Sequence, residues 1–170
     1  MPNYGFNQLH MEVLTKKGED LEQFHRNSVH KKANTNQDIT PIHCAAINPN
    51  FKYLQALLDA GGDINLMDRN MRRPIHYAAA CESDGPLNLL IERGANVDDW
   101  DDSKTTPLLC AAMAGRAETT RRILAVSAQM IHHKDKKNMS ALAYACKFGY
   151  LEVVKELAEH KAKINVGVGM

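Results

Sequence analysis

The apolar positions of this chain fall into short stripes with the spacing of amphipathic helices. Within residues 51–60, the apolar side chains at positions 51, 54, 57 and 58 share one helical face, and polar residues fill most of the rest. Gly61 follows directly, at a place where glycine ends helices because it accepts a positive φ. Residues 149–157 repeat this plan near the end of the chain. The pattern predicts short helices of two to three turns.

A second apolar motif precedes each of these stripes. TPIHCAA at 40–46 returns as RPIHYAA at 73–79 and TPLLCAA at 106–112, with weaker copies in SALAYAC at 140–146 and NQLH at 7–10. The copies start 33 residues apart, except for a final step of 34. Thr40 is suited to cap a helix, and Pro41 to occupy its first position, where a missing N–H costs nothing. The chain is therefore predicted to repeat a pair of helices joined by a projecting turn.

The period near 33 with a Thr-Pro-Leu-His-x-Ala head resembles the ankyrin-repeat family over roughly the whole chain. The resemblance implies an all-α fold, an ankyrin-repeat solenoid of stacked helix-turn-helix units with projecting β-turn fingers. We expect a single ankyrin-repeat domain over 1–170. Its divisions are an N-terminal capping repeat at about 1–34, then repeats at 35–67, 68–100 and 101–134, and a C-terminal repeat at 135–170. These are called the first to fifth repeats below.

Two departures from the family pattern carry structural predictions. Members of the family place glycine in a left-handed turn of each finger, where this chain has Asp38, Met71, Lys104 and Asn138. Met and Lys adopt positive φ at a cost of roughly 1 kcal/mol, so either these turns change type or the two residues are strained. In the fourth repeat an extra residue falls within 125–132, and threonines begin the second helix. We expect a local distortion and loose packing there, the alternative being a harmless loop insertion.

Composition narrows the class of protein. The net charge is +1 and 44% of residues are hydrophobic, so no global field favours nucleic acid. No apolar run is long enough to span a membrane, and the N-terminus is polar, unlike a signal peptide. The four cysteines lack paired spacing, which favours reduced thiols and an intracellular location, cytoplasmic or nuclear.

Motifs of catalysis are missing from the sequence, and we predict no enzyme activity, no cofactor and no metal site. Cys44 and Cys110 take the same place two repeats apart, on the order of 20 Å from each other, too far to share a metal or a disulfide. Cys146 is interpreted as a buried alanine substitute and Cys81 as partly exposed. By the resemblance, His43 and His76 link neighbouring repeats by hydrogen bonds, and Thr40 and Thr106 cap helices.

The resemblance also locates a partner-binding surface at the finger tips and the exposed face of each first helix. The residues expected to contact a partner are Trp100, Arg69, Arg72, Met67, Asp102, Met113, Met139, Phe148, Lys136 and Tyr77. Neighbouring contact positions include Ile47, Ala80, Thr105 and Ala114. Asn65 lies in a pattern similar to that of hydroxylated asparagines, although its place in a turn is a sufficient structural role.

Trp100 and the finger charges each admit two interpretations. Trp100, the only tryptophan, stands among aspartates and is suited to a binding hot spot; otherwise it lies flat over the neighbouring finger. Basic, acidic and basic fingers alternate along the chain. They either form a bipolar groove in which Arg69 and Arg72 take acidic groups, or simply attract one another.

The leading hypothesis is a non-catalytic protein–protein interaction module or scaffold. Its expected partner is another protein, as a peptide segment or folded domain, with no nucleic acid and no membrane insertion, and the chain is expected to be monomeric as a fragment. The alternative is a regulatory or targeting ankyrin segment of a larger multidomain protein, such as a channel or kinase. Fold alone does not decide between them.

Overall fold

The computed structural model describes residues 38–160, which contain eight α-helices and one short 3₁₀ helix. In chain order they are α1 (Pro41–Ile47), α2 (Lys52–Asp59), α3 (Pro74–Ala80), α4 (Gly85–Glu92), α5 (Pro107–Met113), α6 (Ala117–Val126), the 3₁₀ helix (Ala128–His132), α7 (Ala141–Phe148) and α8 (Leu151–Glu159). The predicted capping repeat at 1–34 lies outside the described residues, as does the end of the fifth repeat.

The helices pair as first and second helices of four successive units. The first helices α1, α3, α5 and α7 pack against one another in order, and each contacts the second helix of its own unit. Alanines at the centre of the first helices, such as Ala45 and Ala78, are fully buried and allow this close approach. The second helices bury their own leucines, among them Leu54 in α2, Leu90 in α4 and Leu157 in α8. The all-α solenoid predicted from the repeat is confirmed.

The finger turns keep the left-handed conformation although glycine is absent from them. Asp38, Met71, Lys104 and Asn138 have φ angles of 53°, 60°, 60° and 59°. The Met71 amide donates to the Asp68 carbonyl at 3.1 Å and closes the turn. Of the two outcomes expected from the sequence, the turns keep their type and the strain falls on Met71 and Lys104.

Replacing Met71 by glycine is expected to raise the free energy of unfolding by about 0.5–1 kcal/mol, because glycine takes positive φ without a Cβ clash. The Met71 side chain is 47% exposed, so its removal loses little packing. Urea unfolding followed by circular dichroism measures the change. Asn138→Gly is the matched control and should gain less, since Asn tolerates this conformation. Equal stability of Met71→Gly and the parent chain would show that the turn is not strained.

The fourth repeat carries the predicted distortion, and the threonines of its second helix are buried. The 3₁₀ helix at Ala128–His132 accommodates the extra residue, and Ile131 within it is buried. Thr119 and Thr120 are 3% and 0% exposed, and the Thr120 hydroxyl donates to the Arg116 carbonyl at 2.8 Å. The threonines therefore pack as core residues of α6 although β-branched residues have a lower helix propensity.

Both predictions about cysteine exposure were also wrong. Cys81 is buried, with its thiol donating to the Ile47 carbonyl of the preceding repeat at 3.0 Å. Cys146 is exposed. The equivalent Ala112 is fully buried because the next first helix packs on it, whereas Cys146 belongs to the last helix pair of the described residues.

Candidate protein-interaction surface

Each described finger is built around a buried aspartate. Asp68 Oδ1 accepts the amides of Asn70 and Arg72 at 2.8 and 2.9 Å. Asp101 and Asp135 bind the equivalent amides of their own fingers. The hydrogen bonds fix the turn and aim the intervening side chains outward. The buried carboxylates are therefore part of the scaffold and are satisfied from within.

The second oxygen of each aspartate has a partner that varies along the stack. The hydroxyl of Tyr77 donates to Asp68 at 2.6 Å, and that of Tyr144 donates to Asp135 at 2.5 Å. The latter bond raises the pKa of Tyr144 to about 12. In the fourth repeat this helix position holds Cys110, and Asp101 Oδ2 instead accepts from Arg72 Nε of the preceding finger at 3.2 Å. The finger aspartate of the fourth repeat thus takes its second partner from the third repeat.

His43 and His76 connect successive repeats. His43 Nδ1 accepts the Thr40 amide at 3.2 Å, so the ring proton is on Nε2, which lies 3.1 Å from the carbonyl oxygens of Leu66 and Arg72. His76 Nε2 reaches the Thr105 carbonyl at 3.2 Å in the same way. The Thr106 hydroxyl accepts the Leu109 amide at 3.4 Å at the start of α5.

The fingers form a continuous ribbon through backbone hydrogen bonds. The Asp102 amide donates to the Asn70 carbonyl at 2.9 Å, and the Lys136 amide to the Ser103 carbonyl at 3.0 Å. Asp102 and Lys136 are exposed, as is Arg69. Three predicted contact residues therefore lie on adjoining finger tips.

A pocket of about 330 Å³ opens between the fingers and the first helices of the third and fourth repeats. Its lining residues are Ile47, Arg72, His76, Tyr77, Ala80, Thr105, Cys110, Met113 and Ala114. Three predicted contact residues, Arg72, Tyr77 and Met113, meet in this pocket. The volume is at the lower end of the range for ligand sites and suits one or two side chains.

Cys110, like His76, lines the pocket although the sequence did not indicate a role for it in binding. It is half-buried, and burial raises the pKa of its thiol to about 12, so it is neutral and unreactive near pH 7. In the sequence, Cys110 is distinguished by its small side chain at the position where the third and fifth repeats have tyrosine. The missing ring leaves space beside Tyr77 and Met113.

Trp100 lies outside the pocket, on the finger of the fourth repeat. Its ring is 55% exposed and stacks on His133, with the ring centroids 6.0 Å apart and the planes 11° apart. His133 Nε2 lies 2.7 Å from the Lys104 carbonyl, which holds the imidazole in place. One face of Trp100 therefore covers the neighbouring finger, and the side chain still presents an exposed apolar surface.

The remaining predicted residues are spread over the surface. Met67 is 41% exposed beside the third finger, and Met139 packs partly against the core. Phe148 is 47% exposed and stacks on Tyr144 at a centroid distance of 6.1 Å. Asn65 is exposed, with its amide donating to Asp63 Oδ1 at 2.8 Å. These four residues do not line the pocket.

Salt bridges engage two of the four aspartates in the acidic finger, residues 98–102. Arg72 pairs with Asp101 and Arg73 with Asp99, at 3.2 and 2.9 Å. Neighbouring fingers therefore attract each other, which was the simpler of the two interpretations of the alternating charge.

The described part of the chain offers neither a candidate metal site nor a helix that could span a membrane. No group of three His, Cys, Asp or Glu side chains between residues 38 and 160 could hold a metal ion. Over the same range, every helix is too short or too polar to cross a bilayer.

Comparison with known proteins identifies the fold family. A family model described as "Ankyrin repeats (3 copies)" matches residues 9–101 and 80–167. The chain is 39% identical over 90 residues to the poly [ADP-ribose] polymerase tankyrase of Caenorhabditis elegans, covering 53% of this chain and 4% of that protein. It is 35% identical over 130 residues to alpha-latrotoxin-Lg1a of Latrodectus geometricus, covering 72% of this chain and 9% of that protein.

A third relative is an ion channel. The transient receptor potential cation channel subfamily A member 1 of Drosophila melanogaster is 28% identical over 128 residues, covering 71% of this chain and 11% of the channel. The chain thus spans about a tenth or less of these three relatives. Ankyrin repeats form a non-catalytic fold that generally mediates protein–protein interaction. The matches extend over more than half of the sequence, and the chain belongs to the ankyrin-repeat family.

Proposed function

We propose that this chain is a non-catalytic module that binds another protein through its finger tips and the concave face of its first helices. The observation that carries the proposal is the open pocket between α3 and α5, bordered by the finger ribbon. Interfaces concentrate their binding energy where an apolar anchor enters such a pocket, while a polar rim excludes water. The exposed ring of Trp100 supplies a further contact of the type enriched in hot spots.

Obstructing the pocket is expected to abolish partner capture. Ala80 is exposed on its rim, so Ala80→Arg places a long charged side chain across the opening without altering the core. The full chain and this variant are each immobilised, and the proteins retained from a cell lysate are compared by quantitative mass spectrometry. The proteins that define the partner should be at least about tenfold depleted with Ala80→Arg, since a lost anchor costs more than about 1.4 kcal/mol.

The matched control for this experiment is Gln55→Arg, which adds the same charge to an exposed position of the second helix α2. Its capture profile should equal that of the parent chain. Trp100→Ala is compared in the same assay. A weaker capture supports its role as a contact, whereas an unchanged profile assigns the ring to covering His133. If Ala80→Arg and Gln55→Arg retain the same proteins as the parent, the concave face is not the binding surface.

A second candidate function is that of a regulatory or targeting segment in a larger multidomain protein. The relatives support it, because each of the three described above is many times longer than the matched region. Sequencing of full-length transcripts decides between the candidates. A further domain in the same reading frame, before or after these residues, supports the segment, and a reading frame that encodes no further domain on either side contradicts it.

A further inference from the structure

The pocket exists because the fourth repeat has a cysteine where its neighbours have a tyrosine. In the third and fifth repeats the tyrosine ring crosses from the first helix to the finger and binds the buried aspartate. At Cys110 no ring makes this crossing, and Arg72 reaches Asp101 from the side instead. The volume that a tyrosine would fill remains open.

The chemistry of the pocket walls favours an apolar occupant. Ile47, Ala80, Met113 and Ala114 provide hydrocarbon surface. Part of the polar wall is already engaged, since Arg72 Nε binds Asp101, His76 Nε2 binds the Thr105 carbonyl and the Tyr77 hydroxyl binds Asp68. Apart from the remaining N–H groups of Arg72, a polar side chain entering the pocket would find few partners to replace water, at a net cost in affinity.

The exposed charges of the finger ribbon that borders the pocket are mostly positive. Among residues 38–160, the exposed finger cations that form no ion pair are Arg69, Lys104, Lys134, Lys136 and Lys137. The aspartates at positions 68, 101 and 135 are buried. Asp99 is paired with Arg73, and Asp98 accepts from Gln129. Asp102 is the exposed finger carboxylate that stays outside any ion pair in this range. The finger ribbon therefore complements an anionic ligand.

We propose that the pocket takes one large apolar side chain, aliphatic or aromatic, from an extended acidic segment of a partner protein. The carboxylates beside that side chain face Arg69, Lys136 and Lys137 on the finger ribbon. The inference rests on the proposed function and specifies the chemistry of the partner. It differs from the bipolar groove, because two of the four carboxylates of the acidic finger, Asp99 and Asp101, are paired with Arg73 and Arg72.

Selection from a random peptide library displayed on phage tests this inference on the full chain. Enriched peptides should contain a large apolar residue flanked by Asp or Glu. A synthetic peptide of the enriched sequence should bind about tenfold more weakly to the Lys136→Glu/Lys137→Glu double variant at low ionic strength, with the difference shrinking as salt rises. Enrichment of basic or uncharged peptides, or of no peptide, overturns the proposal.

The role of the pocket is tested with Cys110→Tyr. The new ring should fill the space and reach Asp101 as Tyr77 reaches Asp68, so the peptide should bind at least about tenfold more weakly. Cys146→Tyr adds the same ring at an exposed position of α7 outside the pocket and should bind as the parent does. Circular dichroism checks the fold, and Ala80→Arg replaces Cys110→Tyr if that variant is unfolded. Equal binding to the parent and the filled variant overturns the proposal.

Three further outcomes separate the possible failures. A single-stranded oligonucleotide that binds more tightly than the selected peptides would identify a polyanion site and overturn the acidic segment as the ligand. If selection fails while lysate capture remains sensitive to Ala80→Arg, the acidic segment is wrong and the interaction module stands. If both fail, the proposed function falls as well.

Discussion

Replacement of Asp101 by alanine is expected to lower the free energy of unfolding by about 3 kcal/mol. Asp101 is 1% exposed, and its Oδ1 accepts the amides of Ser103 and Thr105 at 2.9 and 2.7 Å. Its other oxygen binds Arg72. Alanine leaves a buried amide and part of a guanidinium without an acceptor. The turn that presents the Thr105 carbonyl to His76 then loses its anchor.

The measurement is urea unfolding of the full chain, followed by far-ultraviolet circular dichroism. Asp102→Ala is the matched control, because this neighbouring carboxylate is exposed, and its effect should stay within about 0.5 kcal/mol. Asp101→Asn retains an acceptor oxygen for the two amides and should be intermediate. If Asp101→Ala and Asp102→Ala are equally stable, the buried carboxylate does not organise the finger.

Acidification below about pH 6.5 is expected to destabilise the fold through His43 and His76. Burial lowers the pKa of both imidazoles, against the opposing effects of the Arg72 carbonyl on His43 and the Asp101 charge on His76. The unfolded chain therefore takes up protons first as the pH falls. Their contribution is complete above the unfolded pKa of about 6.5 and is lost as the pH falls toward the folded pKa.

Each of the two histidines can contribute at most about 1.4 kcal/mol per pH unit to this slope. Urea midpoints measured between about pH 7.5 and about pH 5 reveal it. This window lies above the pH range in which Asp135 and Glu156 titrate, because the pKa values of their carboxyl groups are lowered from 3.8 and 4.5. The His76→Gln variant should show a shallower slope. A stability that stays constant or rises over this window would contradict the assignment.

Much of the fold was predictable from the sequence because a repeat supplies its own alignment. The register of TPIHCAA identified the helix starts, and it singled out Met71 and Lys104 as residues in a left-handed turn. Both have a φ of 60°. The two alanines in each motif indicated close packing of first helices, which the buried Ala45 and Ala78 display.

The pocket was harder to predict because it depends on a residue that is smaller than its equivalents. The role of Cys110 in opening the pocket becomes clear only from the hydrogen bond between Tyr77 and Asp68, which is a contact between a helix and a finger. Cys81 was misjudged for a related reason, since its partner is the Ile47 carbonyl in another repeat. Contacts between repeats depend on which side chains meet, and the period of the motif does not specify this.

The bond between Arg72 and Asp101 limits how freely the repeats of this solenoid could be rearranged. The third and fifth repeats complete their finger aspartates with their own tyrosines, so each carries that part of its architecture with it. The fourth completes its aspartate with a side chain from the repeat before it. If the repeats were placed in another order, the fourth repeat would need an arginine from its new neighbour to complete its aspartate. The third and fifth repeats would keep their own tyrosine partners, so of these three repeats the fourth is the one whose finger depends on its position in the array.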